Sequence, residues 1–178
     1  MKRTVWLWEL FGFATTSLAG TLLHFLYDWL GNAIWIAPFS GVNESTWEHM
    51  KLLFWPMLIY ALIQSFFFKE YGNFWSAKLR GILIGLISIP IMFYTYNGVI
   101  GKSPDWINIA IFFIAAAFTY FYQTKELYKE IPSSNSKKAD VFALCLIALL
   151  FVIFTFSPPN LNIFKDPITG NYGIPMKS

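Results

Sequence analysis

The chain has 178 residues, of which 56% are hydrophobic and 13% charged, with a net charge of +3. An ordinary soluble domain is about one-quarter charged, and disorder needs low hydrophobicity with high net charge. A soluble globule and a disordered chain are therefore both disfavoured, which leaves a single membrane domain with the lipid bilayer as its first partner. The positive balance is spread over loop lysines, with no basic run to follow a phosphate backbone, so no nucleic-acid partner is expected.

The chain opens on Met1-Lys2-Arg3, followed by an apolar stretch over about 4–27. Glu9 interrupts the early part of that stretch and the apolar pattern runs on to Tyr27. A retained transmembrane helix fits this better than a cleaved leader. Gly12, Thr16, Gly20, His24 and Asp28 recur at every fourth position. Such a row lies on one helix face, and small and polar residues there face neighbouring helices rather than lipid. Glu9 is expected to pair with Lys78 or Arg80.

The second span covers about 46–68, the third 79–100, the fourth 105–123 and the fifth 140–156. Each is long enough to cross a hydrocarbon core of about 30 Å at about 1.5 Å per residue. No segment alternates with period two, and backbone groups in lipid must bond within their own segment, so helices are expected. The predicted fold is an all-α integral membrane bundle of five transmembrane helices. Pro56 and Pro90 should kink the second and third. Gly81-x-x-x-Gly85 is a close-packing motif, and Gln64 should bond between helices.

Residues 124–139 read as a solvated connector. Cys145 stands alone in an apolar run, where an inert buried thiol is expected. Residues 157–178 begin with Ser157-Pro158-Pro159-Asn160, which ends the fifth helix. They then carry Leu161, Ile163, Phe164, Ile168, Tyr172 and Ile174, too many apolar groups for a floppy end. An irregular segment folded back over the outer face is expected. An N-in, C-out orientation puts nine of the thirteen basic residues on the cytoplasmic side, in line with the positive-inside rule. Trp29, Trp35, Trp47 and Trp106 then fall at the outer interface.

The stretch Val42-Asn43-Glu44-Ser45-Thr46-Trp47-Glu48-His49-Met50-Lys51 carries the chemistry. Ionisable groups at membrane depth cost about 2.5–3.5 kcal/mol each at a helix centre, so they need a reason. His24, Asp28, Glu44, Glu48 and His49 come from two consecutive helices at one depth, and both histidines of the chain are among them. Helix capping competes as an explanation: Ser45-x-x-Glu48 is a capping box, Asn43 is a good N-cap, and carboxylates favour a helix N-terminus.

Read as a site, His24, Asp28 and His49 are the expected metal ligands, with Glu48 or Glu44 as general base. Lys51, Asn97, Asp105 and Asp166 are candidates for the wall, with Asp105 capping the fourth helix. The donors suit a divalent metal, zinc favoured, because zinc takes imidazole nitrogen and carboxylate oxygen and keeps one position open in catalytic sites. No HExxH, CxxC, Gly-x-Ser-x-Gly or phosphate-loop pattern is present.

The VNES-x-WEH-x-K string, with Leu23-His24-Phe25 upstream and Pro158-Pro159…Phe164-x-Asp166-Pro167-x-Thr169-Gly170-x-Tyr172-Gly173 downstream, resembles a family of small bacterial multi-pass membrane proteins of unknown function. The resemblance spans nearly the whole chain. It implies a bacterial cell membrane location and supplies no substrate. Three functions are compatible with the residues. One is a metal-dependent hydrolase or transferase acting on a lipid or lipid-linked group. The second is a protein that binds or transports a small solute or ion. The third is a structural protein acting through a partner, its polar cluster serving as a latch.

Overall fold

A computed structural model describes residues 2–129 and 137–175. It contains five α-helices: α1 (Lys2–Trp29), α2 (Thr46–Ser65), α3 (Phe74–Val99), α4 (Asp105–Leu127) and α5 (Lys137–Phe156). Among the described residues a 3-10 turn, Asn162–Phe164, follows. Residues 130–136 of the expected connector lie outside the described residues.

Among the described residues, α1, α3, α4 and α5 are long and apolar enough to cross a membrane. The second helix is not in that set, although its 20 residues have the length, because it carries Glu48, His49, Lys51 and Gln64. Its position explains how it holds them. Twelve of its residues are buried, including Glu48, Lys51 and Gln64, so α2 is the central element and its polar groups face protein.

The fourfold row of α1 is the seam that receives α2 and α4. A Cβ on Gly12 would run into the rings of Tyr60 and Tyr120, and one on Gly20 into Phe112. Between them, the Thr16 hydroxyl shares a hydrogen bond with the Tyr120 hydroxyl at 2.6 Å. On α3, Gly81 and Gly85 let α4 approach until Gln123 and Thr119 fill the space a side chain would need. The α3–α4 connection is closed by Asn97. Its amide oxygen accepts from Ser103 N at 2.9 Å, and Ser103 Oγ donates to Asn108 at 2.8 Å.

The α3 helix starts five residues before the expected apolar run. Its first turns bury Phe74, Ser76, Ala77 and Lys78. Apolar length alone misses such residues, because Lys78 is satisfied by a partner inside the bundle. That partner is Glu9, at 2.7 Å, rather than leaving the choice with Arg80.

The fifth helix buries only Leu144, Phe151 and Thr155. Cys145 is therefore exposed, not buried as expected: it sits one step around the helix from Leu144, on a side that no other described element covers. Trp47 is partly buried. Its ring packs against Phe151 at 4.6 Å and Phe164 at 4.7 Å between centroids.

Those contacts anchor the tail. Phe164 is 5% exposed and also meets Phe154. Beyond it the chain reverses through Thr169 and Gly170, where φ is +74°, and an isolated antiparallel bridge joins Lys165 to Tyr172. Ile174 then packs on the cluster of Tyr27, Ile36, Ala37 and Val42.

Candidate metal centre

The site is built where α1 gives way to α2. Ser40 is fully buried, and its hydroxyl donates to Leu23 O while accepting from Tyr27 N at 2.9 Å. Leu23 O and Tyr27 N are the two ends of one α-helical rung, so Ser40 is inserted into α1 directly beside His24. Gly41 N donates to the same Leu23 carbonyl at 3.3 Å. Side-chain insertion of this kind locally opens a helix, and here it binds the loop to the turn that carries His24.

The loop next presents Glu44 between two anchored residues. Asn43 Nδ2 donates to Gly173 O of the tail at 2.8 Å, and Asn43 Oδ1 accepts from Ser45 N at 2.8 Å. Ser45 is the N-cap of α2, its hydroxyl accepting from Glu48 N at 3.4 Å. His49 follows in the first turn of the helix.

His24, Glu44 and His49 converge. One ligand atom from each lies within 4.8 Å of the others. His24 Nε2 is 3.5 Å from Glu44 Oε1, and His49 Nε2 is 3.6 Å from Glu44 Oε2. The two imidazole centroids are 5.7 Å apart. All three side chains are partly exposed, so the group is open to solvent or a ligand on one side.

The protonation of His49 follows from its other nitrogen. Nδ1 lies 3.0 Å from the Ser45 carbonyl oxygen. A carbonyl can only accept, so Nδ1 carries the proton. In the neutral ring Nε2 then presents a lone pair toward Glu44. A backbone carbonyl holding Nδ1–H is the usual way a metal-ligating histidine is oriented. A lone pair facing a carboxylate oxygen is favourable only with a cation or proton between them. The separations of 3.5 and 3.6 Å exceed a normal hydrogen bond. The three side chains together could hold a metal ion.

A pocket adjoins Glu44 and His49, with apolar walls from Ile89 and Phe93 of α3 and Ile111 and Phe112 of α4. Asn108, held by Ser103, supplies a polar point on the same wall.

The remaining sequence candidates stand elsewhere. Asp28 is exposed at the end of the α1 row, where its carboxylate accepts from Asn32 at 2.9 Å, and it is not in the three-residue group. Glu48 is 3% exposed and pairs with Lys51 at 2.5 Å while accepting from Val42 N at 3.0 Å. Lys51, fully buried, also donates to Ala37 O at 2.7 Å and to Thr155 at 3.1 Å. The pair thus ties the loop to α2 and α5 through Glu48 Oε2. Asn97 serves the α3–α4 turn. Asp105 is exposed in the first turn of α4, whose N-cap is Pro104, so Asp105 does not cap the helix. Asp166 is 4% exposed and folds the tail on itself, accepting from Ile168 N at 2.9 Å and from the Thr169 hydroxyl at 2.7 Å.

Sequence reasoning passed over Ser40. The only signal was a serine before a glycine in a loop of otherwise apolar residues, which alone says nothing about α1.

An all-α bundle with four membrane-capable helices and an open His–Glu–His group at one end is compatible with a membrane protein that holds a metal at its surface. The chain belongs to DUF6512, a family of unknown function whose pattern matches residues 2–174. No curated protein and no solved structure matches it.

Proposed function

We propose that this chain is a bacterial cell-membrane protein with five spans, its N-terminus inside. In this reading the His24–Glu44–His49 group lies at the outer face and binds a divalent metal, zinc favoured. Its role is that of a metal-dependent hydrolase or transferase acting on a lipid or lipid-linked substrate. One observation carries it: two imidazole Nε2 atoms approach the two oxygens of one carboxylate at 3.5 and 3.6 Å. Two histidines and one glutamate form a donor set used by catalytic zinc, which leaves a fourth position for water or substrate. A metal so held supplies a polarised oxygen and an activated water. The pocket beside Glu44 and His49 has about 20 Å³ of free space, room for a water-sized ligand at the centre.

Metal analysis of the purified protein tests this. The wild type is expected to carry about one equivalent of metal, lost in His24→Ala and in His49→Ala. A wild type without stoichiometric metal removes the proposal.

A second reading has one observation in its favour. Glu48 is paired with Lys51 through Oε2 and is not in the three-residue group, so that group contains no second carboxylate to serve as a base. A protein that binds or transports a small solute or ion needs none. Metal-loaded protein stabilised by a solute, with no turnover of lipid substrates, would favour this reading over the enzyme.

A further inference from the structure

A second polar group lies inside the bundle. Glu9 of α1, 2% exposed, accepts at Oε1 from Lys78 of α3 at 2.7 Å and from Gln64 of α2 at 2.8 Å. Lys78 also donates to Gln123 Oε1 of α4 at 2.8 Å. Four helices each contribute one side chain. A buried ion pair is tolerated only when its remaining lone pairs and protons are satisfied. The other carboxylate oxygen, Glu9 Oε2, is buried and makes no hydrogen bond among the described residues.

Glu9 also lines a cleft between α1 and α4 of about 520 Å³, within the about 300–1,000 Å³ range of small-molecule sites. Its walls are apolar, from Leu10, Phe13, Ala117 and Phe121, with Lys125 and Tyr128 also lining it. Lys125 is engaged over the Phe121 ring at 4.5 Å. On α1, Glu9 and His24 are separated by about 22 Å of helix at about 1.5 Å per residue, so this cleft is independent of the metal centre.

The chemistry narrows the occupant. Lys78 already balances the charge of Glu9, so a cationic ligand would carry uncompensated charge into apolar surroundings, and an anion would meet the carboxylate. A neutral donor suits Glu9 Oε2, and the walls call for a long apolar body. We propose that the α1–α4 cleft binds a neutral long-chain lipid bearing a free hydroxyl. Its O–H donates to Glu9 Oε2, and its chain lies along Leu10, Phe13, Ala117 and Phe121.

The test uses the full chain in detergent micelles and a long-chain alcohol carrying a diazirine, with crosslinks mapped by mass spectrometry. Labelling is expected on α1 and α4. Dioleoylglycerol should compete, and trioleoylglycerol, which has no hydroxyl, should not. Ala117→Phe fills the cleft without touching the polar network and should abolish the specific labelling by excluding the ligand. Leu149→Phe, on the exposed side of α5, should leave labelling unchanged. Equal competition by trioleoylglycerol would mean only annular lipid in an apolar groove and would overturn the proposal. So would labelling that Ala117→Phe leaves intact. The competition arm uses unaltered protein, so a folding defect in the variant does not decide the outcome.

Discussion

Lys51 Nζ lies 2.5 Å from Glu48 Oε2 one turn earlier on α2, and neither side chain is more than 3% exposed. This pair is the hub of the loop that carries Glu44. Lys51 reaches Ala37 and Thr155, and Glu48 receives the backbone of Val42. Removing one partner leaves an uncompensated buried charge, which costs about 3–5 kcal/mol. Lys51→Met and Glu48→Gln are each expected to destabilise the protein on that scale. The double variant should recover much of the loss. Unfolding in detergent, run as a double-mutant cycle, measures the coupling. Additive losses would show that the pair is not a unit.

Metal affinity should separate Asp28 from Glu44. Asp28→Asn is expected to leave metal content unchanged, because its carboxylate serves Asn32. Glu44→Gln should weaken binding by more than the about 10–100-fold typical of losing an outer hydrogen bond to a ligand. Affinity should also fall as pH is lowered, since protons compete for both imidazoles and the carboxylate. Titration with a chelator-buffered metal at several pH values checks all three statements.

Glycine substitutions on α3 should have opposite signs. A Cβ on Gly85 meets Thr119 Oγ1 and lies 3.3 Å from the Ala115 carbonyl, which cannot move away cheaply. Gly85→Ala is expected to destabilise by about 1–3 kcal/mol through overpacking. Gly98 has nothing within 4 Å of such a Cβ. Gly98→Ala should be neutral or stabilising by up to about 1 kcal/mol. Melting temperatures of the two variants against wild type provide the comparison.

The tail should come loose when its aromatic anchor is removed. Phe164 fills a buried position against Trp47 and Phe154. Phe164→Ala is expected to cost about 3 kcal/mol, concentrated in residues 157–175 as local opening rather than global unfolding. Faster hydrogen exchange or proteolysis confined to that segment is the signature. Uniform loss of protection throughout the bundle would contradict it.

Much of the helical pattern was legible from residue type alone. The fourfold row of α1 announced an inward face because only small or hydroxyl-bearing groups can sit beneath the rings of Tyr60, Tyr120 and Phe112. The site was partly legible. Both histidines and Glu44 stood out because polar groups at the ends of apolar runs need partners. Which carboxylate joins them was not legible. Glu44, Glu48 and Asp28 are equally acidic and lie close along the chain, and capping, pairing and ligation favour the same residue types at a helix start.

The sequence by itself determined composition, helix periodicity and the rows of residues that must face inward, because these depend on local spacing and on the cost of burying polar groups. Only the tertiary structure decided how the acids were allocated. Lys51 claimed Glu48, Asn32 claimed Asp28, and Glu44 was left between two imidazoles, because each assignment rests on distances between segments that the chain brings together only after α1, α2 and the tail have packed.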